Sequence, residues 1–414
     1  AASDVYKRQI INGMNDFYRN KNILVIVTGS ITAYKSATLV REFVKSGAHV
    51  RVGMTTAAQK FITVQTLAVL SKHDVLTDLF RDEKAAVTHI EWAKWADMIF
   101  VVPATANIIG KIANGIADDA VTATVMASPA AKVIAPAMND VMFNNDAVVR
   151  NLNLLKSDGW FIIDPAIGFL AEGYESQGRL PEPVTIINQA AIRIQARGGE
   201  LKGKKLVIPA GGTREALDPV RYLTNRSSGK MGYALAQAAA ELGATVVLIT
   251  TTKREELYGV REIVVTSTRD MHTAVVREFS DADVFISSAA VSDYRPASQA
   301  ENKIKKVGHE NLTIELIQNP DILSDIGHMK KAGQIVVGFA AETQNVLASA
   351  QKKLSKKNAD FLIANDVSNV DSGFDSDNNK VTILSRDKDP EKIELLPKID
   401  IARAILDRVV KTLA

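Results

Sequence analysis

What most constrains this chain is the way short apolar runs alternate with stretches suited to helices. Lys21-Asn-Ile-Leu-Val-Ile-Val-Thr-Gly-Ser reads as a buried strand that stops at small and hydroxyl residues. A helix is expected from about Ala33 to Ser46, with Gly47 as its C-cap. His49-Val-Arg-Val-Gly-Met-Thr is the next strand and again ends in hydroxyls. The pattern returns in Asp97-Met-Ile-Phe-Val-Val, which runs into Pro103-Ala-Thr-Ala-Asn before a helix from about Ile108. Lys132-Val-Ile-Ala-Pro-Ala-Met-Asn is one more strand, ending in an amide. Such spacing requires parallel pairing with crossover helices, so the expected class is α/β.

In open parallel sheets, ligands sit beyond the carboxyl ends of the strands. Gly29, Ser30, Thr55, the run Pro103, Ala104, Thr105, Ala106, Asn107, and Asn139 therefore stand where a ligand would be. The dinucleotide fingerprint GxGxxG is absent, with only Gly29 at the first turn, so a single phosphate as in a flavin mononucleotide fits better than a pyrophosphate. His89 precedes a short helix expected over Glu91 to Ala96; by itself it reads as a cap or surface residue. Asp118 and Asp119 read as favourable charges at the start of another helix.

A second α/β pattern begins at Lys205-Leu-Val-Ile-Pro, a short buried strand. Two glycines and a Thr-Arg-Glu triplet follow, then the polar loop Thr224-Asn-Arg-Ser-Ser-Gly-Lys, an alanine-rich helix and a strand from Thr245 to Ile249. Gly229-Lys230 before a helix suggests a phosphate cradle, because helix N-termini offer free N–H groups. It is not a P-loop, since Thr224 stands in place of the partner glycine and Met231 in place of Ser or Thr. Further on, Ala289-Ala290 would let a ligand approach the backbone, and Asp293 suits a base, a sugar or a metal. Asn319-Pro-Asp-Ile reads as a turn and helix start, and Ile335-Val-Val-Gly-Phe as a buried strand ending in Phe339. Lys353 and Lys357 are spaced i,i+4 on one helix face, where both reach one anion or both are solvated. Asp375-Ser-Asp-Asn-Asn-Lys lacks the glycine and the terminal glutamate of an EF-hand.

At 414 residues there is room for two or three domains. The Gly- and charge-rich run Arg197 to Lys205 is the best boundary, so the expected layout is an extension over 1–20, disordered or artefactual, one domain over 21–196 and another over 197–414. A net charge of +3 spread along the chain argues against a nucleic-acid surface. No apolar run approaches the roughly 20 residues that span a bilayer, and no membrane partner is expected. The absence of cysteine excludes disulfides, thiolate zinc sites and a catalytic thiol, and fits a cytoplasmic protein.

GSITAYK, HIEWAKWAD, PATANIIGKIANGIADD, APAMN and GRLPEP, over about Lys21 to Pro183, resemble the flavin-dependent phosphopantothenoylcysteine decarboxylases and their wider family of homo-oligomeric flavin cysteine decarboxylases. TREALDPVRYLTNRSSGKMG, AAVSDYRP, NKIKK, NPDIL, VVGFAAET and ANDV…GFDSDNN, over about Leu201 to Val410, resemble phosphopantothenate–cysteine ligase. Together they resemble the bacterial bifunctional ligase/decarboxylase of coenzyme A biosynthesis. The resemblance implies two Rossmann-like three-layer domains with mostly parallel sheets, the first flavodoxin-like and the second nucleotide-binding. It implies FMN around Gly29, Ser30, Thr55 and Pro103 to Asn107, with His89 catalytic and Asn139 the ligand of the substrate carboxylate. In the family's mechanism flavin oxidises the cysteinyl unit, and the resulting thioaldehyde loses CO2.

For the second half the resemblance implies CTP with Mg2+, which activates 4'-phosphopantothenate as an acyl-cytidylate that L-cysteine then attacks. CTP contacts fall by motif on Ala289, Ala290, Asp293, Lys303, Asn319, Pro320, Asp321, Ile322, Phe339, Lys353 and Lys357, and Asn225 handles the acyl-cytidylate. The metal ligands stay open beyond Asp293 as one candidate. Trimers of the flavin domain and dimers of the ligase domain are implied as well. One position departs: where the family has LACG, this chain reads Leu170-Ala-Glu-Gly, so Glu172 replaces the cysteine that protonates the intermediate. Either Glu172 takes over as donor, or the flavin half stops at the ene-thiol or serves only as a scaffold.

Overall fold

The computed structural model describes residues 17–79, 88–254, 257–305, 311–342, 346–366, 376–386 and 389–413. The chain divides into two compact units between Ile194 and Gln195.

In the first unit, β1 (Asn22–Val27), β2 (His49–Met54), β3 (Val75–Leu76), β4 (Met98–Ala104), β5 (Ala131–Pro136) and β6 (Phe161–Ile162) form one parallel sheet. Their order is β3-β2-β1-β4-β5-β6. Without the two-residue edge strand β3, that is the 2-1-3-4-5 order of flavodoxin-like folds. Leu24 and Ile26 pack with Ile108, Val121 and Leu152 on one face. Val25 and Val27 pack with Leu39, Phe43 and Ala190 on the other. Successive side chains of a strand point to opposite faces, so a continuous apolar run is what a sheet covered by helices on both sides requires. An antiparallel hairpin, β7 (Ala166–Phe169) and β8 (Glu175–Arg179), stands apart from the sheet.

Three local expectations change. Of the extension assigned to 1–20, residues 1–16 lie outside the described residues, but Phe17 and Tyr18 pack against the core. Tyr18 is fully buried, donates to the Ile187 carbonyl at 2.8 Å and meets Phe43 edge-on at 5.0 Å. Nothing periodic surrounds that aromatic pair, and partners far along the chain, Phe43, Phe100 and Ile187, hold it. The helix expected after His89 runs over Thr88–Trp95 and includes it. The helix expected from Ile108 starts at Ala106, because the Thr105 side chain caps it by accepting from the Ile108 N–H.

The second unit holds β9 (Lys205–Ala210), β10 (Arg214–Ala216), β11 (Tyr222–Thr224), β12 (Thr245–Thr250), β13 (Val260–Val264), β14 (Val284–Ser287), β15 (Tyr294–Pro296), β16 (Leu316–Gln318), β17 (Ile335–Glu342), β18 (Phe361–Asp366), β19 (Asn378–Ser385) and β20 (Glu391–Pro397). Its main sheet has the order β13-β12-β9-β14-β17-β18-β19-β20. The first six strands are parallel in the 3-2-1-4-5-6 Rossmann order, and β19 and β20 extend them antiparallel. Two short antiparallel ribbons, β10–β11 and β15–β16, rise beyond the ends of β9 and β14. The strand expected to end at Phe339 continues to Glu342, because β18 pairs with it as far as Asp366. Helices Thr268–Phe279, Ile322–Met329 and Val346–Lys356 cover one face through Met271, Val275, Ile326 and Leu354. Helix Lys230–Glu241, packed against Lys398–Leu413, covers the other.

Candidate active sites

In the first unit the strand order reverses between β1 and β4, and the polar strand ends gather there. Thr28 follows β1; its hydroxyl donates to the Pro103 carbonyl at 2.7 Å and accepts from the Thr105 N–H at 3.2 Å. Ser30 caps a 3-10 turn over Ile31–Ala33, and Thr105 caps helix Ala106–Ala113. Thr55 accepts from the Ala58 N–H at 3.2 Å, which leaves its O–H to donate. The first turns of these elements contribute N–H groups that no intrahelical carbonyl takes up. Gly29 is needed for space, since a Cβ there would come within 2.5 Å of the Ala57 side chain. Hydroxyls and N–H groups with little charge suit one phosphate and the polar edge of a flat ring. Asn107 sits exposed in the first turn of its helix.

Asn139 leaves β5 as the cap of the short helix Asp140–Phe143, accepting from the Val141 N–H at 2.9 Å through Oδ1. Its Nδ2 donates to Glu172 Oε1 at 2.9 Å and to the Tyr174 hydroxyl at 3.0 Å. Tyr174 donates to Asp140 at 2.5 Å, and Ser176 to the other Asp140 oxygen at 2.9 Å. These two hydroxyls, Tyr174 first, hold the Asp140 carboxyl below its usual range against a small effect of burial. The hairpin tip is thus laced to the end of β5. Gly178 permits the approach, with φ of 154° and a Cβ position 2.2 Å from the Met138 carbonyl oxygen. Phe169 is 70% exposed and Tyr174 41%, and Glu172 between them is exposed as well. His89 is half-buried in the first turn of Thr88–Trp95, and among the described residues no hydrogen bond joins it to Asn139 or Glu172. Sequence reasoning missed Thr28 and Asp140, and took Tyr174 for apolar cover of Glu172 where its hydroxyl instead bonds Asn139 and Asp140; Thr28 carried a signal, as a hydroxyl next to Gly29.

In the second unit the reversal falls between β9 and β14. Gly212 bridges to Ala290, and the Ala290 N–H donates to the Gly211 carbonyl at 2.9 Å. A cleft of about 460 Å3 opens here, lined by the loop 225–232, Ala289, Ala290, Asp293, Phe339, Lys353 and Lys398. Gly229, at φ 74°, caps helix Lys230–Glu241 and turns its N-terminus into the cleft. Lys230 pairs with Asp377 at 2.6 Å, and Asn225 donates to the Val291 carbonyl at 2.9 Å. A second cleft of about 630 Å3 shares Ala289, Asp293, Phe339 and Lys353 and adds Asn319, Pro320, Asp321, Ile322 and Lys357. Asn319 donates to the Ser292 carbonyl at 2.9 Å, and Lys357 pairs with Asp321. Burial pushes the Lys357 ammonium pKa down, and Asp293 opposes that shift.

The positions expected to contact a nucleotide therefore fall into two adjoining clefts, with one exception. Lys303 lines neither and is exposed, next to Ile304, which is held by the turn between β10 and β11. Lys306 of NKIKK, Thr343 of VVGFAAET, and residues 367–375, which include Asp375, lie outside the described residues. Among the described residues no group of three or more His, Asp or Glu side chains forms a metal cage, at Asp293 or elsewhere. Lys398 was missed altogether; it enters the first cleft from the start of the C-terminal helix and carried no sequence signal.

The chain matches the family described as Flavoprotein over residues 13–195 and the DNA/pantothenate metabolism flavoprotein C-terminal domain over residues 201–413. The coenzyme A biosynthesis bifunctional protein CoaBC of Bacillus subtilis (strain 168) is 45% identical over 394 residues, spanning 94% of this chain and 97% of that protein. The protein of the same name from Escherichia coli (strain K12) is 41% identical, again over 94% of this chain and 97% of its own length. A crystal structure of the C-terminal domain of CoaBC is 41% identical and covers 52% of this chain and 98% of that one, with a TM-score of 0.45. Two domain families in this order, and relatives matched nearly end to end, lead to one conclusion: the chain belongs to the family of bifunctional coenzyme A biosynthesis proteins.

Proposed function

We propose that the chain makes 4'-phosphopantetheine in two steps. The second unit joins L-cysteine to 4'-phosphopantothenate with CTP and Mg2+ through an acyl-cytidylate. The first unit, holding FMN, decarboxylates 4'-phosphopantothenoylcysteine. The observation that carries the reading is the pairing of one polar, nearly uncharged strand-end site with one lysine-rich double cleft, each at the point where its sheet's strand order reverses.

In the ligase unit, the chemistry is the transfer of a nucleotidyl group to a carboxylate, which asks for cations on a triphosphate and a held acid. Lys353 belongs to both clefts and so can neutralise charge on either side of the bond that breaks. Lys230 and the N-terminus at Gly229 favour anions in the first cleft, and Lys357 does so in the second. Asn225, fixed by Val291, offers an uncharged amide to the acyl-cytidylate. Mg2+ enters with the nucleotide's phosphates, the usual arrangement for an ion that takes few protein ligands.

In the flavin unit, Ser30, Thr55, Thr105 and the helix-start N–H groups would hold the FMN phosphate, and the bound flavin supplies the oxidation that makes decarboxylation possible. Asn139 Nδ2 would bind the substrate carboxylate, which means it must leave Glu172 first. His89 stands in a helix that runs back toward β4, so its N-terminal turn faces the carboxyl ends of the strands, where it can move a proton. A second reading, in which this unit stops at the ene-thiol, is favoured by the exposure of Glu172 and its role as acceptor from Asn139.

Exposed Ile31, Tyr34, Val141, Met142, Ile167 and Phe169 support association through the flavin unit, read here as trimers, with ligase units pairing as dimers. Among the described residues no helix is long and apolar enough to cross a membrane, and a cytoplasmic setting fits the substrates. The deciding experiment gives purified protein 4'-phosphopantothenate, L-cysteine, CTP and Mg2+. Pyrophosphate, then CO2 and phosphopantetheine, are expected from a yellow preparation whose released cofactor runs as FMN. A colourless protein that FMN cannot reconstitute removes the decarboxylase half, and equal activity with ATP removes the choice of CTP.

A further inference from the structure

Asp218 lies in the turn between β10 and β11 and is 2% exposed. A buried aspartate in a turn ordinarily closes the turn by accepting from backbone N–H groups two and three residues on. Its Oδ1 does that, accepting from Val220 and Arg221 at 2.8 Å each. The local turn needs nothing more. Its Oδ2 faces elsewhere: it accepts from Arg221 Nε at 2.9 Å, from Arg221 Nη2 at 2.6 Å and from the Ile304 N–H at 3.1 Å, 86 residues along the chain. Arg221 Nη2 also donates to the Ile304 carbonyl at 2.5 Å, so both backbone groups of Ile304 are clamped. A further tie runs from the Ala300 N–H to the Leu217 carbonyl at 3.0 Å. The segment held this way is otherwise exposed and carries Lys303 immediately before Ile304.

We propose that Asp218 is a positioning residue of the ligase reaction, its Oδ2 fixing the backbone behind Lys303 and so setting where that ammonium meets the triphosphate. The inference rests on the reading of Lys303 as a CTP contact. Burial opposes the charge on Asp218, but the N–H of Val220, the Arg221 guanidinium and the N–H of Ile304 outweigh it and hold the carboxyl far below its usual range, so the clamp stays ionised at neutral pH. A lysine on an unanchored loop would lose rotamer and backbone freedom on meeting each nucleotide; a prefixed one has less to lose.

The test is Asp218→Asn in the full-length protein. The amide keeps an acceptor for Val220 and Arg221 but presents N–H to Ile304 and the guanidinium, so it removes the long-range half of the clamp and leaves the turn. Losing a hydrogen bond to a charged group corresponds to about a tenfold rise in the KM for CTP. The KM for cysteine and the decarboxylation of added 4'-phosphopantothenoylcysteine should stay unchanged, which a general loss of structure would not allow. CTP binding by calorimetry should be no weaker in the Asp218→Asn, Lys303→Ala double variant than in Lys303→Ala alone. Additive losses, or a CTP KM that does not move in Asp218→Asn, overturn the inference and leave the Lys303 reading standing. Unchanged CTP binding in Lys303→Ala overturns that reading, and the inference with it.

Discussion

Asn139 has one side chain and two tasks. Its oxygen caps Asp140–Phe143, which fixes the amide's orientation, and its Nδ2 is then the donor left to face a ligand. Glu172, in the place where the family has cysteine, fills that donor with a carboxylate. If Asn139 binds the substrate carboxylate as proposed, substrate and Glu172 would compete for one N–H group. On the proposed reading of this unit as a decarboxylase, the displaced Glu172 would be the proton donor in place of the cysteine. Wild-type protein is therefore expected to release saturated phosphopantetheine, and Glu172→Gln the ene-thiol, as read by mass spectrometry of the product. Ene-thiol from the wild type would leave Glu172 as the plug of Asn139 and nothing more. Saturated product from Glu172→Gln would move the proton to another residue, and Tyr174, 3.0 Å from the same amide nitrogen, is the next to test.

Between elements, one ion pair explains why two distant motifs occur together. Lys35, on helix Tyr34–Lys45, is buried; it donates to the Leu180 carbonyl at 3.1 Å and to Glu182 at 2.8 Å, joining GSITAYK to GRLPEP across 147 residues. The hydrogen bond from Lys35 is the main cause that holds the Glu182 carboxyl below its usual range, with burial working the other way. A carboxyl lowered on folding contributes stability that is fully present above its unfolded value and is lost as pH falls through the folded one. Wild type should therefore melt higher than Glu182→Gln at pH 7, with the gap closing as pH falls below the unfolded glutamate value of about 4.3 and on through the lower folded one. Thermal melts of the flavin unit across that range check this. A gap independent of pH would mean that shape, and not charge, holds the contact. Glu182 is largely exposed, so the gap at pH 7 should be small.

On the scale of the whole molecule, each unit buries its own core. The clusters around Val25 and Leu24 draw only on residues before Gln195, and the cluster around Val207 only on residues after it. Cutting between Ile194 and Gln195 severs none of these clusters, so residues 195–414 expressed alone should keep CTP-dependent pyrophosphate release, and residues 1–194 the yellow cofactor. An insoluble or inactive 195–414 fragment would show that the ligase needs its neighbour. By itself the sequence determined the class of both folds and the polar strand ends that make up the candidate sites, because burial on two faces writes a continuous apolar run into each parallel strand, a purely local signal. The clustering of Gly211, Gly212, Ala289 and Ala290 was half legible in this way, as small residues at strand ends. Only the tertiary structure decided that β19 and β20 extend the second sheet antiparallel, that Tyr18 belongs to the core, that Glu172 meets Asn139, and that Asp218 reaches Ile304. Each of these depends on which surfaces meet after residues far apart in the chain are brought together, and a hydrogen bond across 33 or 86 residues leaves no period in the sequence to read.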